Sequence, residues 1–180
     1  MKDNNAFNEM MVHIPLCTHK EASNVLVIGS SCEELKTQAA KHTSNVEFGD
    51  ESLLTSKNEK NIDVIILTDV KLDELLLANI DRILNEDGLI AFASESFSKN
   101  EAGLKADLLL AGTKFWIAMP FKFGHNTSIL ASRKYHPTAD LVLQRSDFLD
   151  DLQYYSSEIH NASFVFPAAE HKALTTIAKR

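Results

Sequence analysis

The run Val25-Leu26-Val27-Ile28-Gly29-Ser30-Ser31-Cys32-Glu33-Glu34-Leu35 decides the fold. Four apolar residues without polar alternation, stopped by a glycine, describe a strand covered on both faces. The polar residues that follow lead to Leu35, Ala39 and Ala40, a helix entered through a glycine turn. Outward from this unit the same alternation recurs. Val64–Leu67, Leu89–Phe92 and Phe115–Ala118 read as further buried strands, Ser128–Ala131 as a fifth, and Val46-Glu47-Phe48-Gly49-Asp50 as a short strand and turn. Between them Leu72, Leu75, Leu76, Ile80, Ile83 and Leu84 fall on one stripe with Asp73, Glu74, Asn79 and Asp81 off it, which predicts a helix ending near Asn85. Another helix is predicted from about Glu101 to Ala111, and a short one around Met10–Leu16 leading into the first strand; from Asp147 onward the pattern is mixed. Strands alternating with helices mean an α/β fold of Rossmann-like type, a mainly parallel sheet flanked by helices and joined by right-handed crossovers, with Val25–Ile28 central.

With 180 residues and 44% hydrophobic composition, one domain spanning residues 1–180 is expected. The 25 acidic and 18 basic residues leave a net charge of −7, and no basic cluster is evident, which argues against a nucleic-acid partner. Cys17 and Cys32 are too few for a disulfide framework and suit a reducing compartment. No apolar run approaches the roughly 20 residues that span a bilayer. The start Met1-Lys2-Asp3-Asn4-Asn5 has no signal-peptide character, so the expectation is a cytoplasmic protein without membrane contact. His13 and His160 have no helical partner or Cys/His cluster beside them, and no metal site is expected.

Three segments together carry a family resemblance. They are Asn8-Glu9-Met10-Met11-Val12-His13-Ile14-Pro15-Leu16, the strand end Ile28-Gly29, and Leu152-Gln153-Tyr154-Tyr155-Ser156-Ser157-Glu158-Ile159-His160-Asn161-Ala162-Ser163-Phe164. In this order they resemble the spermidine synthases, aminopropyltransferases that move an aminopropyl group from decarboxylated S-adenosylmethionine to putrescine. The last segment, similar to the family's Tyr-Tyr-Asn-x-Glu-Ile-His-x-Ala-x-Phe, is the most specific; Ser94-Glu95-Ser96 and Leu130–Lys134 are weaker matches. The resemblance runs from residue 6 to about 173. It implies a short, diverged member in which no counterpart of the family's N-terminal β-strand domain is found.

The resemblance also implies where chemistry would lie. The family's Gly-Gly-Gly-Asp-Gly-Gly turn becomes Gly29-Ser30-Ser31-Cys32-Glu33-Glu34, so only Gly29 is kept and the acid that holds the aminopropyl amine falls on Cys32. Glu33 replaces that acid if the turn shifts register; otherwise it is a first-turn helix acid favoured by the macrodipole. Asp50 matches either the acid that binds the ribose hydroxyls or the one that receives the adenine amine; Glu51-Ser52-Leu53-Leu54 reads more like the adenine turn. Gly-Asp is equally a common turn dipeptide. The catalytic Asp-Ser-x-Asp-Pro becomes Thr68-Asp69-Val70-Lys71-Leu72, so Asp69 and Asp73 are either displaced catalytic acids or helix caps. Phe7, Asn8 and Phe121 stand where the family's substrate-contact Tyr, His or Gln, and later Tyr stand, though both Phe residues also suit a core.

The expected function is therefore aminopropyl transfer in polyamine metabolism, weakened or lost, with decarboxylated S-adenosylmethionine as co-substrate and no prosthetic group. The other reading is a non-catalytic binding or assembly module on the same fold. Polyamine and adenosyl ligands, and further copies of the chain in a homo-oligomer, are the expected partners. Weak turnover follows above all from Lys71, an ammonium where the family places a carboxylate beside a cationic amine.

Overall fold

The computed structural model describes residues 2–180, with side chains described from residue 5 onward. In chain order the elements are α1 (Lys2–Thr18), β1 (Val25–Ile28), α2 (Glu33–Ala40), β2 (Val46–Gly49), α3 (Ser52–Ser56), β3 (Ile62–Leu67) and α4 (Glu74–Ile83). These are followed by β4 (Leu84–Ser94), α5 (Phe97–Ala111), β5 (Ile117–Phe123), β6 (Asn126–Ser132), α6 (Leu143–Asp147), α7 (Ser157–Ser163) and α8 (Ala168–Leu174). The six strands form one sheet in the order β2-β1-β3-β4-β6-β5. β2, β1, β3 and β4 run parallel, while β6 is antiparallel to both β4 and β5. β1, expected to be central, lies inside the sheet one strand in from the β2 edge, and all four of its residues are buried.

Period-two alternation distributes each strand between two cores. Leu26, Ile28, Ile65, Leu67, Ile90 and Phe92 meet α4, α5 and α8 on one face; Val25, Val27, Val64, Ile66, Leu89 and Ala91 meet α1 and α2 on the other. That two-sided cover is why the strands read as continuous apolar runs.

Several boundaries depart from the sequence pattern. The stripe beginning at Leu72 stops being helical at Ile83, because Leu84 pairs with Ile62 and opens β4. The fourth apolar run starts its strand late: Trp116 is 81% exposed, and β5 runs from Ile117 through Pro120, which an edge strand tolerates. α5 starts at Phe97 and breaks at Asn100 (φ −153, ψ 78) before continuing through the predicted segment. The short α3 had no apolar stripe to announce it.

The largest departure is α1, which spans 17 residues instead of one or two turns. It is buried nearly all round from Asn8 to Thr18, so no polar face marks its course in the sequence. Its buried polar groups are matched by distant partners. The fully buried Glu9 carboxylate accepts the backbone N–H of Gln153, Tyr154 and Tyr155, each at 2.8 Å, across more than 140 residues of sequence. Downstream, the Tyr155 hydroxyl donates to Nδ1 of His160 (2.9 Å), whose Nε2 donates to the Pro137 carbonyl (2.9 Å). The most specific motif of the sequence thus ties α1 to residues 153–155 and, through His160, to Pro137. His13 bridges in the same layer, meeting His42 at 2.7 Å and Gln38 at 3.0 Å. Burial holds His13 and His160 down at about 4 and His42 at about 3, so all three are neutral near pH 7.

Candidate functional site

In an open α/β sheet, ligands bind outside the carboxyl ends of the strands, where the connections change direction. Here that point lies between β1 and β3, because β1 connects outward to β2 while the chain beyond β3 proceeds to β4 on the other side. Gly29 and Ser30 end one strand; Thr68 and Asp69 end the other. Gly29 adopts φ +111, a conformation reserved for glycine. Its absent side chain matters for space too, since a Cβ there would lie 2.2 Å from Asp69 Oδ1 and 2.6 Å from Thr68 Oγ1.

Both Asp69 oxygens are engaged by one residue. Oδ1 accepts the Ser30 backbone N–H at 2.7 Å, and Oδ2 accepts the Ser30 hydroxyl in a very short bond. The Thr68 hydroxyl donates to the Ser30 carbonyl at 2.8 Å. These Ser30 donors hold the Asp69 carboxyl below the usual carboxylate range.

Two open cavities of about 330 Å³ each share Asp69 as a wall. The first lies over the ends of β3 and β4 and is bounded by Lys71, Ser94, Glu95, Asn100 and Asp107. The Ser94 hydroxyl is donated to Asp107 at 2.6 Å. The second lies over the end of β1 and is bounded by Phe7, Asn8, Ser30, Cys32, Leu35 and Thr68. Asn8, buried on α1, donates its Nδ2 to Cys32 Sγ at 3.4 Å. Of the residues expected at a site, then, Phe7, Asn8 and Asp69 converge, with Gly29 underneath.

The remaining candidates are placed elsewhere. Asp73 is the N-cap of α4 and accepts the Leu76 N–H at 2.8 Å, the cap alternative for this residue. Glu33 lies on the exposed first turn of α2, paired with Lys36 at 2.8 Å, and Cys32 stands at the N-cap position. Phe121 is fully buried between Phe123 (5.7 Å) and Phe164 (5.5 Å), so it packs the core instead of facing a cavity. Its neighbour Lys122 turns away to Glu170 (3.4 Å) and the Phe166 ring (4.3 Å).

Asp50 is exposed at the end of β2, where it accepts the Ser52 N–H at 2.9 Å and the Ser52 hydroxyl at 2.5 Å, and these bonds lower its pKa. The Gly29 N–H donates to the Gly49 carbonyl at 2.9 Å, which sets Asp50 alongside the glycine turn. β2 pairs directly with β1 and ends about 20 residues after Gly29, so Asp50 lies at the carboxyl end of the strand next to the glycine turn. Ser30, Glu95, Asn100 and Asp107 were not singled out as candidates, and only the hydroxyl directly after Gly29 could have drawn attention to Ser30.

At the opposite end of the sheet His19, Asp63 and Asp87 gather within ligand-sharing distance, a grouping with no sequence signature. The Glu21 N–H donates to His19 Nδ1 at 3.1 Å, so Nε2 of the neutral ring carries its proton toward Asp87 Oδ1, 3.7 Å away. A cation on Nε2 would displace that proton and cost the Nδ1 bond from Glu21.

No family model matches the chain. A polyamine aminopropyltransferase of Helicobacter pylori (strain HPAG1) is 28% identical over 191 residues, covering 89% of this chain and 73% of the relative. That of Bacillus subtilis (strain 168) is 25% identical over 217 residues, covering 92% and 77%. This chain therefore spans about three quarters of their length. Among solved structures, a spermidine synthase in complex with the transition-state analogue AdoDATO superposes with a TM-score of 0.84 at 19% identity, covering 96% of this chain and 74% of the other. The spermidine synthase of Thermotoga maritima gives 0.82 at 19% identity, covering 96% and 75%. The fold is shared with these structures, and with 25–28% identity to the curated enzymes over about nine tenths of its length the chain is a diverged relative of the polyamine aminopropyltransferases, the spermidine synthase family.

Proposed function

We propose that the crevice between β1 and β3 binds an adenosyl ligand, decarboxylated S-adenosylmethionine in the transferring case, and that aminopropyl transfer to a polyamine such as putrescine is slow or lost. The observation that carries this reading is the arrangement at the switch point: the glycine turn of β1, Asp50 beside it, and Phe7, Asn8 and Asp69 around one cavity. Asp50 would accept both ribose hydroxyls, as a carboxylate at that strand end can. Phe7 supplies an apolar wall for the sulfonium-side chain. The acceptor amine would enter through the cavity over β3 and β4, where Asp69, Glu95 and Asp107 attract a cation and Lys71 repels it.

Transfer needs a group that holds the ammonium and takes a proton as the amine attacks the carbon beside sulfonium. Asp69 is the carboxylate nearest that role, and both its oxygens are already bonded to Ser30. Cys32 replaces the acid that would hold the aminopropyl amine, and Glu33 points to solvent. These features support the alternative that the site binds without turning over. We further infer a cytoplasmic homo-oligomer, in keeping with exposed Leu75, Leu109, Trp116 and Val165.

Calorimetric titration with decarboxylated S-adenosylmethionine and with methylthioadenosine tests the reading. Micromolar binding of either supports an adenosyl site, and silence with both removes it. A putrescine assay on the binding-competent protein then separates a slow enzyme from a non-catalytic module.

A further inference from the structure

We propose that Asp69 latches the crevice: it holds Ser30 across the ends of β1 and β3, stands between the two cavities as their shared wall, and releases Ser30 to pair with the ligand when an amine-bearing adenosyl ligand occupies the glycine turn. This rests on the adenosyl reading of the site and adds how that site opens.

Three features of the turn support it. A glycine turn serves ligand binding because a missing side chain lets the ligand reach the backbone and its N–H donors. Here the space left by Gly29 is filled by Asp69 Oδ1 and Thr68 Oγ1, which a Cβ would meet at 2.2 and 2.6 Å. The first N–H beyond that glycine, on Ser30, is already donated to Asp69 at 2.7 Å, and the Thr68 hydroxyl holds the Ser30 carbonyl at 2.8 Å. The protein's own side chains thus make the contacts a ligand would make.

The division of space follows from the same bond. Among the described residues Asp69 alone lines both cavities, one over β1 and the other over β3 and β4. Asp69 is exposed, so water is at hand to replace Ser30 as it opens. An ammonium is a better partner for a carboxylate than a neutral hydroxyl and amide. A ligand that carries an amine, such as decarboxylated S-adenosylmethionine, therefore draws Asp69 off Ser30, whereas methylthioadenosine has no such group and must work against the latch. Asp69 accordingly sorts adenosyl ligands by whether they bring a cation.

The test compares wild type with Asp69→Ala and Ser30→Ala, the latter removing only the hydroxyl bond. Calorimetry with the two nucleosides is joined by hydrogen exchange of the Ser30 amide in the ligand-free protein, and thermal melts establish that both variants fold. Methylthioadenosine should bind about tenfold tighter to Asp69→Ala and about threefold tighter to Ser30→Ala, as expected for lost hydrogen bonds of ordinary strength. Decarboxylated S-adenosylmethionine should gain nothing from Asp69→Ala, since its amine loses its partner. In wild type the Ser30 amide should be protected from exchange and should lose that protection when the amine-bearing ligand is added. Equal or weaker methylthioadenosine binding by both variants, or an unprotected Ser30 amide, overturns the latch. If neither nucleoside binds any of the three proteins while Ser30 is protected, the adenosyl reading falls and the bond is a structural one, which also ends its proposed role in ligand sorting. A folding defect in Asp69→Ala leaves Ser30→Ala to decide.

Discussion

Glu9→Gln is the substitution from which the structure predicts most. The Glu9 side chain is fully buried, and its two oxygens accept three backbone N–H groups, Gln153 on Oε1 and Tyr154 and Tyr155 on Oε2, all at 2.8 Å. Hydrogen bonds to a charged acceptor are worth about 1.5–3 kcal/mol each net of water. Glutamine keeps one carbonyl oxygen but turns an NH₂ toward at least one of the amides, leaving donor against donor in a place water does not reach. The expected loss is about 3–5 kcal/mol, the range found when one partner is removed from a buried charged network. For a chain of this size that lowers Tm by on the order of 10 °C, read by circular dichroism. Glu33→Gln, on a solvent-facing turn with only Lys36 as partner, serves as the control and should leave Tm where it was. A Glu9→Gln protein melting within about 2 °C of wild type would refute the reasoning, because it would mean that the three amides find other partners at little cost. The perturbation should also reach the site. Phe7 and Asn8 precede Glu9 on α1 and wall the cavity over β1, so adenosyl binding should weaken in step with the melt.

Further outcomes follow from the same geometry. His160, held down to about 4, is unprotonated in the folded chain while the unfolded chain takes up a proton near 6.5; stability is whole above 6.5 and falls as pH drops toward 4. That single group removes about 3 kcal/mol over the interval, with His13 and His42 adding in the same direction, and urea midpoints at stepped pH check it. An unchanged midpoint from pH 7 to 4 would contradict it. Asp73→Ala should cost about 1 kcal/mol through the lost cap of α4 without altering adenosyl affinity, which separates the cap from a ligand role. Lys71→Asp should raise putrescine turnover at least tenfold in low salt by exchanging repulsion for attraction in the cavity over β3 and β4; no gain would show that the loop charge is not what limits transfer.

The sequence by itself determined the α/β class, the interior position of Val25–Ile28 and the resemblance to spermidine synthases. Those readings rest on local patterns, a four-residue apolar run against a glycine and a Tyr-Tyr…Glu-Ile-His segment, which the chain carries wherever it goes. Tertiary structure decided what depends on partners far apart in sequence. It made α1 a long buried helix because Glu9 meets residues 153–155, ended α4 at Ile83 because Leu84 pairs with Ile62, and took Phe121 into the core between Phe123 and Phe164. It also separated Asp69 from Asp73, two carboxylates that look equivalent in sequence. One lies where β1 and β3 diverge and faces Ser30 across the gap; the other lies one helix entrance later and spends its oxygen on the Leu76 amide. A carboxylate's role is set by the donors within about 3 Å of it, and those are fixed only when strands 39 residues apart in sequence come to lie side by side.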